Sequence, residues 1–241
     1  ICELFSIDYP ILQAGMGGAA GPELAAAVSN AGGLGVLGAA ACTPDQLDEW
    51  IVRARSLTDR PFGVDTLLPA SVPRNVGSPG GHRGAVPVYA AGLGVPPPDF
   101  MAKGHQKGMR FLGVASQSRH AEKLAAGGVD AIVAQGTDGG GHNSPIGTLA
   151  LIPQVVDVAG NIPVLGAGGI TDGRGIAAAF MLGARGAWIG TRFLATPEAN
   201  IPDYQKAQLI EARDRDTIVS RSVTGKPARM LRAAWPELYE R

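Results

Sequence analysis

Cysteine is scarce: Cys2 and Cys42 are the two in 241 residues, too few for a disulfide framework and without metal-ligand spacing. A reducing compartment, by elimination the cytoplasm, and a site without metal are the expectations. Charge is also sparse. Charged residues make up 17% of the chain, and 21 basic side chains balance 21 acidic ones, so no basic field exists to draw in nucleic acid or anionic lipid. No apolar run of membrane-spanning length is present either. The nearest, Gly21 to Cys42, is interrupted by Pro22, Glu23, Asn30 and five glycines. No charged-then-apolar leader opens the chain, which begins at Ile1 rather than Met, so further terminal residues are expected.

What the chain has in quantity is apolar residues, at 45%, and 35 glycines, roughly double average usage. Eight short apolar runs of strand length recur: Ile11 to Ala14, Leu34 to Leu37, Phe62 to Val64, Val86 to Ala90, Arg110 to Val114, Ala131 to Gln135, Pro163 to Ala167, and Ala187 to Ile189. Most are continuous rather than alternating, as strands buried on both faces of a parallel sheet require. Helical patterns separate most of them, at Pro22 to Asn30, Thr43 to Ser56, Ser118 to Ala126, Leu149 to Val158 and Asp172 to Leu182. The alternation predicts an α/β fold of the (β/α)8 TIM-barrel type, a single domain over residues 1–241. An open doubly wound sheet shares the alternation, but no nucleotide fingerprint follows the first strand. The connection Pro69 to Ala85, with three prolines and late glycines, outlines no helix and reads as a mobile lid or as a place where native residues are missing. A helix is expected again at Tyr204 to Ala212, followed by a basic, loop-like end.

Strand exits carry the chemistry-bearing residues: Gly15 to Gly18, Asp65, Gly92 to Gly94, Ser116, Gly136 to His142, Gly168 with Gly169, and Gly190 with Thr191. In a barrel these loops share the rim where ligands gather. Backbone N–H groups of Gly168, Gly169, Gly190 and Thr191 could cradle a phosphate with helix N-termini assisting, or the glycines could serve only tight turns. The loop QGTDGGGHNSPIG sets three glycines before His142, whose imidazole could act as base or hydrogen-bond donor. Asp138 could orient that histidine, bind substrate, or be solvated. Met16 could cover a planar ligand or pack in the core. His82, His105 and His120 read as solvated or structural.

The motifs PILQAGMGG, GVDAIVAQGTDGGGH, LIPQVVD and VLGAGGITDGRGIAAAFMLGARGAWIGTRFLATPEA, with the late Tyr204, resemble the nitronate monooxygenase family, formerly the 2-nitropropane dioxygenases. The resemblance implies an FMN-dependent barrel: Gly15, Met16 and Gly17 near the ring, Gln154 touching the flavin, the phosphate on Gly168, Gly169, Gly190 and Thr191, and His142 as active-site histidine. It implies oxidation of a nitroalkane or nitronate with O2 as electron acceptor, giving a carbonyl compound and nitrite. Asp65 and Ser116 come second, as hydrogen-bond partners of flavin or substrate. This chain departs from the family pattern at Gly15, commonly proline, at Asp65, often asparagine, and at Asp138-Gly139, commonly Glu-Ala. Ionised aspartate accepts a hydrogen bond but cannot donate as an amide does. Two alternatives stay open: a related FMN-dependent NAD(P)H reductase of acyl-carrier-protein or CoA thioesters, and a non-catalytic barrel that binds a phosphate-bearing ligand.

Overall fold

The computed structural model describes residues 1–40, 42–67 and 86–240. A short helix α1 (Cys2–Phe5) leads into β1 (Ile11–Gln13), α2 (Pro22–Asn30), β2 (Gly35–Gly38), α3 (Pro44–Leu57) and β3 (Phe62–Leu67). Next come β4 (Val88–Leu93), α4 (Pro98–Gln106), β5 (Arg110–Ala115), α5 (Ser118–Gly127), β6 (Ala131–Gln135) and the two-residue strand β7 (Gly141–His142). The chain continues through α6 (Thr148–Val158), β8 (Val164–Ala167), α7 (Gly173–Met181), β9 (Gly186–Ile189) and the single turn α8 (Thr191–Leu194). It ends with α9 (Asp203–Glu211), β10 (Thr217–Ser220), β11 (Ala228–Leu231) and α10 (Ala234–Tyr239). The expected Pro69 to Ala85 lid, with His82 in it, lies outside the described residues.

Every one of the eight apolar runs forms a strand, and all eight pair in parallel in the order β1-β9-β8-β6-β5-β4-β3-β2. The barrel closes between β1 and β2, through a bridge of Leu12 with Leu34. That seam is thin in backbone bonds: Gln13 N donates to Leu34 O at 2.9 Å and Leu34 N to Ile11 O at 3.0 Å. The fully buried Gln13 side chain extends it, its Nε2 donating to Val36 O at 3.1 Å and its Oε1 accepting from Val36 N at 3.0 Å. One side chain thus stands in for a missing rung. Gln13→Leu orphans both Val36 backbone groups, and equilibrium denaturation is expected to show a loss of about 1–3 kcal/mol.

Two apolar layers hold the barrel. Leu12, Leu34, Val36, Val88, Leu112, Val133, Leu165 and Trp188 fill the interior, and α1 with the turn after it adds Phe5 and Ile7 to the same cluster. The alternate residues of the strands, among them Leu37, Phe62, Val64, Tyr89, Phe111 and Ile132, pack outward with Leu47, Ile51, Leu124, Leu151 and Val155 of the helices. Two helix starts have clear local causes: Thr43 and Gln46 form a reciprocal capping box on α3, and Pro22 opens α2 at a position that needs no N–H. Gly35 lets α2 approach β2, because a Cβ there would fall on the Ala25 backbone.

The end of the chain departs from the expected loop. Strands β10 and β11 pair antiparallel, and β11 pairs in turn with β7, placing Ala228 opposite His142 and Arg229 opposite Gly141. This small sheet lies beyond the barrel and grips the glycine-rich loop.

Candidate active site

A cavity of about 710 Å³ lies over the carboxyl ends of the barrel strands. Gly15, Met16, Gly17, Asp65, Asp138, His142, Gly168, Gly169, Gly190 and Thr191 all line it. Two expected residues do not. Gln154 is exposed on α6, whose buried face is Leu151, Ile152 and Val155, and Ser116 is outside the cavity lining. The Ser116 carbonyl accepts a bond from Ser144 Oγ, and its hydroxyl meets His120 Nδ1 at 3.3 Å. Its part is to tie the His142 loop to the end of β5. Burial, then the charges of Arg119 and Lys123, push the His120 pKa down.

The three glycines before His142 serve close approach more than mobility. Only Gly141 has a left-handed φ, +79°. A Cβ on Gly140 would lie 3.1 Å from Thr191 Oγ1, and one on Gly168 would lie 2.9 Å from Gly139 N. The loop therefore presses against both segments of the phosphate-cradle candidate. It is pinned at several points: Gln135 Nε2 donates to His142 O at 3.0 Å, Asn143 Nδ2 to Thr137 O at 3.1 Å, and Arg229 Nε to Thr137 O at 2.8 Å. The His142 Nε2 lies 2.7 Å from Thr224 Oγ1, in the turn between β10 and β11. Gln135 and Arg229 line the cavity too, with Met230 and Leu231, and no pattern in the sequence marked them. For Gln135 the clue was its place at a strand end; for the hairpin, the alternation in Thr217 to Ser220 was too short to stand out.

Asp138 closes the loop onto α6, accepting from Thr148 N at 2.8 Å. That bond, with lesser help from the Thr148 side chain and the Arg229 charge, lowers the Asp138 pKa against an opposing effect of burial. A lowered folded-state pKa means that the carboxylate stabilises the fold above its ordinary pKa, and that this is lost as pH falls through the lower, folded value. Melting curves taken downward from pH 7 should show the wild type losing stability in that acidic window, with a shallower loss for Asp138→Asn.

Gly168 and Gly169 have φ of +101° and +70°, conformations that favour glycine and leave their backbone bare to the cavity. The expected help from helix N-termini is reduced. Asp172 caps α7 itself, accepting from Arg174 N at 2.9 Å, and α8 is only four residues long. A phosphate would rest on the Gly168, Gly169, Gly190 and Thr191 backbone. Met16 lines the cavity while packing against the barrel interior.

Asp65 is an ionisable side chain on the barrel's inner wall. Phe62 and Val64 face the helices, so strand alternation turns Asp65 inward beneath Gly15 and Gly92. A Cβ on Gly15 would collide with the Asp65 side chain. Burial pushes the carboxyl well above the usual carboxylate range, outweighing the nearby Gly92 N–H, which pulls the other way. Its Oδ1 is buried with no partner at hydrogen-bond geometry among the described residues. No group of three or more His, Cys, Asp or Glu among the described residues could hold a metal ion, and no described helix is long and apolar enough to cross a membrane.

A closed parallel barrel whose strand-exit loops gather an imidazole, a buried carboxyl and bare backbone around one cavity is a (β/α)8 barrel with its site on the carboxyl rim, the face on which barrel enzymes work. The chain belongs to the nitronate monooxygenase family, whose profile matches residues 1–76 and 81–241. It is 42% identical over 232 residues to the (3aS,4S,5R,7aS)-5-hydroxy-7a-methyl-1-oxo-octahydro-1H-indene-4-carboxyl-CoA dehydrogenase of Rhodococcus jostii, covering 96% of this chain and 65% of that protein. Among solved structures, FabK from Thermotoga maritima matches with a TM-score of 0.89 and 38% identity, over 98% of this chain and 75% of that one. A nitroalkane oxidase from Streptomyces ansochromogenes matches with a TM-score of 0.85 and 36% identity, over 97% and 79% respectively.

Proposed function

We propose that the chain is an FMN-dependent oxidoreductase that oxidises nitroalkanes or their nitronates, with His142 as the base. The observation that carries this reading is the convergence, in one cavity, of a lone imidazole with backbone segments free of side chains. The residues fit the cofactor. Gly15 and Gly17 give the cavity wall bare backbone against which a flat ring would lie, the Asp65 carboxyl offers a polar partner to a ring heteroatom, and Gly168, Gly169, Gly190 and Thr191 would hold the phosphate. Bound FMN supplies the redox chemistry by taking up the electrons that leave the substrate, with O2 as the proposed final acceptor.

The protein's own part is placement and proton transfer. His142 would remove the acidic α-proton of a nitroalkane, or hydrogen-bond a nitronate that is already anionic. Thr224 would fix the ring through Nε2, and pairing of β7 with β11 would fix the backbone behind it. Met16, Val114 and Trp188 give the cavity apolar wall, which excludes water from the site of proton removal.

A second reading, redox chemistry on a CoA or carrier-protein thioester, is favoured by the 42% identity to a carboxyl-CoA dehydrogenase. A thioester α-proton and a nitroalkane α-proton pose the same problem to an imidazole, so the same site serves either. Anaerobic mixing of the FMN-loaded protein with each donor separates them. Bleaching by a nitronate, reversed by O2, is the expected result. Fast bleaching by NADH, NADPH or an acyl-CoA, with none by nitronate, would move the assignment to thioesters.

A further inference from the structure

We infer that Asp65 stands in the cavity wall as a neutral carboxylic acid and donates a hydrogen bond to an acceptor atom on the ring of a bound flavin, a contact that rests on the flavin reading above. The geometry comes first. Asp65 faces inward on β3 among apolar and glycine neighbours: Gly38 pairs with it on β2 and Ala90 on β4, and Gly15 and Gly92 crowd its carboxyl. No ion pair reaches it from any described residue. Its Oδ1 is sealed and unpartnered, although the residue lines a cavity large enough for a ligand.

An ionised carboxylate with no ion pair and only the Gly92 N–H beside it is strongly disfavoured in such surroundings, so the side chain keeps its proton. The ionisable neighbours do not alter this. Tyr89 on β4, whose hydroxyl bonds Thr66, is kept neutral first by burial and then by the nearby Asp65, so it offers Asp65 no compensating charge. The other charged or titratable groups that line the cavity are His142 and Asp138 on the glycine-rich loop, Arg192 on α8 and Arg229 on β11. Asp138 is engaged by Thr148, and Arg229 by Thr137 and Thr217. In acid form Asp65 has the O–H donor that the carboxylate lacks. The missing Cβ of Gly15 leaves room for the Asp65 side chain, and the β3 exit stands apart from the β8 and β9 exits that carry the proposed phosphate cradle, so the donor is assigned to the ring end of the ligand.

The sign of the pH effect follows. A carboxyl whose folded-state pKa is raised favours the fold fully below its ordinary pKa, and this contribution is lost as pH rises through the folded value. The test uses the full chain stripped of flavin, as wild type, Asp65→Asn and Asp65→Leu. Each is melted between pH 6 and pH 9, and each is titrated with FMN at pH 6 while flavin fluorescence is followed. Wild type is expected to lose melting temperature relative to Asp65→Asn as pH rises. Asp65→Asn, which keeps a donor, should bind FMN within about threefold of wild type, and Asp65→Leu about five- to tenfold more weakly. Parallel melting curves for wild type and Asp65→Asn would overturn the neutral acid. Unchanged FMN affinity in a folded Asp65→Leu would overturn the contact. If wild type itself bound no FMN, the flavin reading would fall and the acceptor with it, whereas diverging melting curves would still place a proton on Asp65.

Discussion

Replacing His142 by alanine is expected to cut turnover by about two to four orders of magnitude, the usual contribution of a positioned acid or base, while FMN stays bound. The separation of effects comes from the architecture. His142 meets β11 through its backbone, opposite Ala228, and its loop is anchored independently by Gln135, Asn143 and Asp138, so removing the imidazole leaves the loop in place. The proposed phosphate cradle belongs to the ends of β8 and β9 instead. Steady-state rates with a nitronate, beside a flavin titration of the same preparation, give both numbers. Wild-type turnover in the alanine variant would remove His142 from the chemistry.

The second large effect is expected from Gly169→Val. At φ +70° a β-branched residue is strained, by about 1–2 kcal/mol, and its Cβ would come 3.2 Å from the Asp138 Cβ. The side chain would also stand in the stretch of cavity wall that Gly169 leaves bare. Losing two charge-assisted hydrogen bonds to a phosphate costs about 3–6 kcal/mol, a hundredfold or more in FMN affinity. Riboflavin, which has no phosphate, should be affected far less by the same change. Equal loss for both ligands would argue against a phosphate on Gly169.

Much of this was legible in the chain because burial on both faces writes itself as continuous apolar runs. Ile11 to Ala14 and Ala131 to Gln135 are legible as strands for that reason, and the glycines after them as rim loops. The rim residues Gly15, Asp65, His142, Gly168 and Gly190 come together because the barrel places every strand exit on one face. What stayed hidden depends on contacts distant in sequence. The β10–β11 hairpin lies partly exposed over the rim, with Val219 exposed and Met230 half-buried, so its strands lack the apolar run that marks the others. Its pairing with β7 joins residues more than eighty positions apart, as does the 2.7 Å contact of His142 with Thr224. Gln154 sits one turn along a helix from buried Leu151, and the family motif gave its place in the chain without saying that its side chain faces outward. Gln13 reads as an interruption in an apolar strand, whereas it completes the barrel seam.

The central claim, that the glycine-walled cavity over the barrel is an FMN site, is tested most directly by the visible absorption of the purified chain before and after incubation with FMN and removal of the excess. One bound FMN per chain, lost in Gly169→Val and kept in His142→Ala, is the predicted result. A colourless protein that gains no flavin absorbance would contradict it.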